Sequence, residues 1–260
     1  MKCGAVFLFL WTFALADLEP GFTSLFNGSS LDGWISARQD TVGSKFSVDE
    51  ETQSIVTYAG REQGDEEATD VLYTTTDYSH YILKLDYKWG EKRFAPRGDW
   101  ERDAGLLFHI TGELNQVWPD CIEMQIGEST NEVVGGKRYH TGDLFVIGHR
   151  PHVSVQVSPE GFYDSTLPFQ AVGLEGWGRC WTPLGKERPH GQWNQIEIRV
   201  YGAERALFFL NGVQVLEIRD FGRTEEEGVF PLSQGRIGFQ AEWAEIYYRN
   251  IRIKELPLPE

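Results

Sequence analysis

The feature that most limits what this chain can fold into is its hydrophobic period. Helical spacing is nearly absent over 260 residues, while short runs that alternate apolar and polar residues recur between clusters of Gly, Pro, Asn and Asp. A period of two sends successive side chains to opposite faces, so such runs read as β-strands with one buried face. The clearest covers 80–89, where Tyr81, Leu83, Leu85, Tyr87 and Trp89 share one face and His80, Lys84, Asp86 and Lys88 the other. Only Ile82 breaks the pattern. Along 193–201, Ile196, Ile198 and Val200 alternate with Gln195, Glu197 and Arg199. The next apolar run, 206–210, meets Asn211-Gly212 before 213–218, and Asn-Gly tolerates the positive φ of a two-residue hairpin. Roughly a dozen such runs in a chain of uniform composition suit one large all-β, two-sheet jelly roll better than two small domains.

The ends stand apart. Lys2, the apolar run 6–14 and the small-x-small triplet Ala14-Leu15-Ala16 read as a signal peptide over 1–16. That leaves a single domain at 17–256 and a short tail at 257–260. The apolar run is shorter than the about 20 residues a bilayer requires. The expectation is a soluble secreted or periplasmic protein, with no membrane insertion once the leader is removed; an uncleaved anchor is the alternative. A formal charge of −15, one unit more negative without Lys2, argues against nucleic acid and anionic membranes as partners. Cys121 and Cys180 remain in the mature chain, and spacing leaves open whether they pair. Asn27-Gly28-Ser29 has the form of a glycosylation acceptor but reads better as a turn.

Strand 121–126 presents Cys121, Glu123 and Gln125 on one face and Ile122, Met124 and Ile126 on the other. A carboxylate and an amide side by side, near Trp118, suit a sugar: both hydrogen-bond in a plane, and an aromatic ring covers a pyranose C–H face. The plain alternative is the wet face of a half-exposed strand. Strand 104–110 points Leu106, Phe108 and Ile110 inward and Gly105, Leu107 and His109 outward, so His109 is expected on the same surface, although a lone histidine is more often structural. Strand 236–242 repeats the i, i+2 arrangement with Gln240 and Glu242. Convergent polar groups from three strands suggest a concave site for a small sugar or a glycan.

Arg249 shares an alternating face with Tyr247, Ile251 and Ile253; if buried it needs a carboxylate such as Glu242 or Glu123, unless a bulge turns it outward. Trp118, Trp177 and Trp181 lie in or beside loops and are the rings best placed to stack on sugar. Two long loops, 90–103 and 159–192, are of the length that often carries function. No Cys-x-x-Cys or His-x-x-x-His spacing signals a metal.

Together the ordered segments resemble the 3-keto-disaccharide hydrolase family, also described as 3-keto-glucoside 1,2-lyase/3-keto-2-hydroxyglucal hydratase domains. The resemblance begins with Gly21-Phe-Thr-Ser-Leu-Phe-Asn-Gly-Ser-Ser-Leu-Asp-Gly-Trp34 and continues through 102–109, 117–126 and Thr141-Gly-Asp-Leu-Phe145. It closes with Gly191-Gln-Trp-Asn194, the 210–212 turn, Gly235-Arg-Ile-Gly-Phe-Gln240 and Tyr248-Arg-Asn-Ile251. It implies a concanavalin-like sandwich acting on 3-oxidised glucosides, with Glu123 and Gln125 in the cleft and His109, Asp143, Gln240 and Arg249 as neighbours. The chain departs from the family in carrying Asp103-Ala104-Gly105 where Asn-Ser-Gly is frequent, and in a longer stretch over 127–140.

A ketone at C3 acidifies the hydrogen on C2, so the glycosidic bond can break by elimination, with water adding back afterwards. That chemistry needs a base, support for the oxyanion and an acid. The expected roles are Glu123 or His109 as base, Arg249 with Gln125 at the oxyanion and Asp143 as acid, with Trp118, Trp181, Gln240 and Glu242 binding substrate. A divalent cation would serve in place of Arg249. Two rivals stand beside this reading. Glu123-Met-Gln-Ile-Gly-Glu128 resembles the Glu-x-Asp-x-x-Glu motif of laminarinase-like retaining hydrolases, which would need a bulge at Gly127 to bring both carboxylates to one face. The other is a lectin-like domain that binds glycans without turnover.

Overall fold

The computed structural model describes residues 18–113, 115–128, 140–183 and 186–258. The expected leader at 1–16 and most of the 127–140 stretch lie outside them. Among the described residues there is no helix, and eighteen strands form two antiparallel sheets. The jelly-roll class is thus the one the alternation implied.

The smaller sheet runs, edge to edge, Gly178–Cys180, Leu144–Ile147, Asp120–Gly127, Asp103–Thr111, Arg236–Ala241, Asp70–Thr74 and Trp34–Ser36. The path of the larger sheet is Phe169–Val172, Pro151–Gln156, Val213–Glu225, Arg205–Leu210, Asn194–Tyr201, His80–Arg93, Ala244–Glu255, Ser54–Thr57 and Phe46–Asp49. Thr23–Ser24 and Gly228–Pro231 pair beside that path. Stretch 159–192 is therefore not one long loop. It supplies an edge strand to each sheet.

The inner faces make the core. Tyr81, Leu83, Leu85, Tyr87, Ile196, Ile198 and Val200 of the larger sheet meet Leu106, Phe108, Ile122, Met124, Ile126 and Phe239 of the smaller one, all fully buried. Phe239 and Tyr248 stack across the interface with ring centroids 4.7 Å apart. Asn211 and Gly212 turn the expected hairpin with φ of 51° and 80°, both in the left-handed region that this dipeptide supports. Cys121 and Cys180 are free and buried: Cys180 belongs to the core between the sheets and Cys121 to an apolar cluster on the outer face of the smaller sheet.

Two bulges change the parity of their strands. His109 has φ of 50° where pairing with Asp120–Gly127 slips between Phe108 and Thr111, and Asn250 has φ of 52° where pairing with His80–Arg93 slips between Arg249 and Arg252. One extra residue reverses which face every later side chain takes.

Candidate functional site

The outer face of the smaller sheet is set by register. Leu107 opposes Glu123, Gly105 opposes Gln125, and Asp103 bridges to Glu242. Directly opposed residues point the same way, so Glu123, Gln125, Gln240, Glu242 and Asp103 converge above Gly105. A Cβ built on Gly105 would lie 2.0 Å from Glu123 Oε1 and 2.3 Å from Gln240 Oε1. Glycine is what lets the two side chains lie across the strand.

All five polar residues are buried, Glu123 at 4% exposure and Gln240 at 1%. Gln125 is anchored, its Nε2 donating to Asp103 Oδ1 and, at 2.8 Å, to the Ala104 carbonyl. Gln240 is the opposite: neither its Nε2 nor its Oε1 has a partner among the described residues. Buried amides are nearly always satisfied, so an idle one marks a place where something else binds.

Arg97 supplies the positive charge. Its Nη1 donates to Asp103 Oδ2 at 3.0 Å and Glu242 Oε2 at 2.9 Å, and its guanidinium lies 4.9 Å from the Trp100 ring and 4.5 Å from the Trp243 ring. One cation for three carboxyl groups leaves protons behind. Burial pushes Asp103 up to about 6, against the pull of Arg97. Glu242 rises well above the ordinary range through burial and then the charges of Asp103 and Glu123, and the two hydrogen-bonded carboxyl groups share a proton. Glu123 also rises well above that range, first through burial and then through the charge of Asp103. Among the described residues no cluster of His, Cys, Asp and Glu is shaped to hold a metal ion.

Residues 21–254 match the family described as the 3-keto-alpha-glucoside-1,2-lyase-like domain. The chain belongs to that family. No curated protein matches it. Among solved structures it is similar to two proteins from Parabacteroides distasonis ATCC 8503, each named only provisionally as a glycosyl hydrolase. One is 19% identical with a TM-score of 0.53, covering 91% of this chain and 94% of that one; the other is 17% identical at 0.54, covering 90% and 99%. The VIP36 exoplasmic/lumenal domain bound to Ca2+ and Man3GlcNAc is 10% identical at 0.51, covering 91% and 90%. At these identities the likeness is one of fold.

Within this family domain the expected residues divide. Glu123, Gln125, Gln240 and Glu242 come together. Trp181 lies one strand out, edge-on to Phe145 at 5.8 Å, and Phe145 opposes Glu123. Trp118 packs with Val117 over the apolar cluster around Leu107 and Cys121, 6.0 Å from the exposed Trp177. Asp143 Oδ1 accepts from Thr182 N at 2.6 Å and Thr182 Oγ1 at 2.9 Å, which commits it to the turn that starts Leu144–Ile147.

Two expectations are corrected. His109 does not join the polar surface: its bulge turns the ring inward, where Nε2 meets the Gly202 carbonyl at 2.9 Å and burial lowers its pKa to about 4. Arg249 pairs with neither Glu242 nor Glu123. It lies on the outer face of the larger sheet, 3.7 Å from Asp86 Oδ2 and 3.8 Å from the Trp193 ring centroid, while the bulge at Asn250 returns Ile251 and Ile253 to the core. Glu128 does not complete a pair with Glu123 either, since its carboxylate is held by Arg102 Nη1 at 2.6 Å.

Arg97 and Asp103 were missed as site residues. The available signal was the density of charge and tryptophan in 90–103, together with aspartate in the family's Asn-Ser-Gly position. Two clefts of about 380 and 650 Å³ flank the Gly228–Pro231 strand, and Glu123, Gln240 and Arg97 line neither. The chemistry, not cavity size, locates the site.

Proposed function

We propose that this domain cleaves 3-keto-glucosides by elimination, with Glu123 as the base. The observation that carries the reading is Glu123 itself: a buried carboxyl with raised proton affinity and no hydrogen bond among the described residues, beside an idle amide. A group with that pKa takes a proton readily once ionised. Over Gly105, Glu123 removes the C2 hydrogen. The electron pair moves onto the C3 oxygen, where the Gln240 N–H and the proton shared by Asp103 and Glu242 stabilise the enediolate. Collapse of the enediolate forms the C1=C2 bond and breaks the C1–O bond, and Glu123 returns its proton to the departing oxygen. Water then adds across the double bond. Arg97 keeps the acid pair in place, and the oxyanion support expected of Arg249 falls to Gln240 and that pair.

Membership of the 3-keto-alpha-glucoside-1,2-lyase-like family supports the substrate class. The test is turnover of a 3-keto-glucoside by Glu123→Gln, with substrate affinity measured in parallel. Loss of turnover with affinity kept supports the base; unchanged turnover removes it. Saturable glycan binding by the wild-type protein, with no turnover of any 3-keto sugar, would favour a lectin-like domain instead.

A further inference from the structure

Glu123 opposes Phe145, and Phe145 opposes Arg179 on the edge strand Gly178–Cys180. Leu107, Glu123, Phe145 and Arg179 thus form one row across the outer face. At about 4.8 Å per strand, Arg179 stands roughly 10 Å from Glu123, far enough for a ring and the start of its substituent. In the other direction the row is closed. Leu107 is fully buried in a cluster with Tyr73, Ile110, Val117 and Trp118, and the Tyr73 hydroxyl donates to the Gln116 carbonyl. Along the strands, Cys121 and Trp118 close one end and Arg97, Asp103 and Glu242 the other. A ring held over Glu123 therefore projects its leaving group across Phe145.

That exit is made of two rings and a cation. Trp181 is 6% exposed, and a Cβ on Gly161 would come within 3.4 Å of its Cδ1, so the turn at Gly161 packs directly against the indole. The Arg179 guanidinium lies 5.7 Å from the centroids of both Phe145 and Trp181. Three other surface arginines pair with carboxylates: Arg199 with Glu197 at 2.5 Å, Arg219 with Glu217 at 2.7 Å and Arg223 with Glu225 at 2.6 Å. Arg179 has none among the described residues, in a chain of net charge −15. Its planar donors are held over the rings and left open, and a guanidinium fork matches a carboxylate.

We propose that Phe145, Trp181 and Arg179 form a leaving-group subsite for an aryl aglycone bearing a carboxylate. The assignment rests on the reading of Glu123 as the base of the same site. Phe145, backed by the buried Trp181, receives the flat apolar body, and Arg179 receives the acid group. As specificity determinants they act on substrate preference, not on the elimination step.

The test compares 4-carboxyphenyl and 4-carbamoylphenyl 3-keto-glucosides, which differ in charge but little in shape, with wild-type protein, Arg179→Gln and Arg179→Lys. In the wild type the carboxylate substrate should have a kcat/KM about tenfold higher, the worth of a charge-assisted hydrogen bond. Arg179→Gln should abolish that preference and Arg179→Lys retain part of it. A preference identical in wild type and Arg179→Gln overturns the subsite. A calorimetric titration of 4-hydroxybenzoate into Glu123→Gln, with and without Arg179→Gln, separates the two readings because it needs no turnover. Weaker binding on adding Arg179→Gln supports the subsite even where neither glucoside is cleaved, the result that would sink the base. Binding indifferent to Arg179 overturns the subsite whatever Glu123 does.

Discussion

The outer faces of the two sheets carry the same alternating pattern and treat their polar residues in opposite ways. On the larger sheet the charges are neutralised at the surface: Lys84 meets Glu19 at 2.7 Å and Glu197 at 3.5 Å, while Arg249 lies over Trp193 beside Asp86. On the smaller sheet, Glu123 and Gln240 are buried with no hydrogen-bond partner among the described residues, and Asp103 and Glu242 share one arginine. Burying such groups costs folding free energy that a wet surface does not, so their retention points to use. A polar strand face therefore says little until its burial and its partners are known.

The comparison can be broken most directly at its centre. Glu123→Gln should lower kcat by about 10²–10⁴-fold, the usual worth of a general base, while Arg249→Gln on the opposite face should leave kcat within about twofold. Steady-state kinetics on one 3-keto-glucoside decides it, and equal losses in the two variants would erase the distinction. Next in size, Arg97→Met strips the cation from two buried carboxyl groups and should cost about 3–5 kcal/mol in urea unfolding. Lys84→Met, at a surface pair, should cost less than about 1 kcal/mol.

Gly105→Ala sharpens the comparison without touching a polar group. Its Cβ displaces Glu123 Oε1 and Gln240 Oε1, so kcat/KM should fall by about 10²-fold, as a misplacement of about 1 Å does. Unfolding should move little, because alanine suits a strand better than glycine. A large fall in stability with normal kinetics would show that the glycine serves packing alone.

The smallest effect is in pH. Asp103, Glu123 and Glu242 bind protons more tightly folded than unfolded. Their contribution to stability is therefore complete below the unfolded carboxylate range near 4 and declines as pH rises, that of Asp103 as pH passes about 6. Turnover should rise with pH as Glu123, whose carboxyl lies well above the ordinary range, ionises, so stability and rate should move in opposite directions. Thermal unfolding of wild type and Asp103→Asn from about pH 4 to pH 8 checks the first half, and a flatter profile for Asp103→Asn is expected.

Much of this was legible in sequence because it is local. Alternation over 80–89 and 193–201 sorted core from surface, Asn211-Gly212 announced its turn, and the i, i+2 spacing of Glu123 and Gln125, and of Gln240 and Glu242, put each pair on one face. The same rule failed at His109 and Arg249. Each is sited where a single bulge residue with positive φ reverses the parity, and nothing in the neighbouring residue types demands a bulge there.

By itself, then, the sequence determined the all-β class, the alternation of faces between bulges and the family, since a period of two and an ordered set of short motifs are properties of neighbours along the chain. Only the tertiary structure decided which polar face became a site. Register across three strands set Glu123 beside Gln240 over Gly105. Long-range pairing brought Arg97 to Glu242, 145 positions away in the chain. Burial then made acids of groups that solvent would have left as ordinary surface carboxylates.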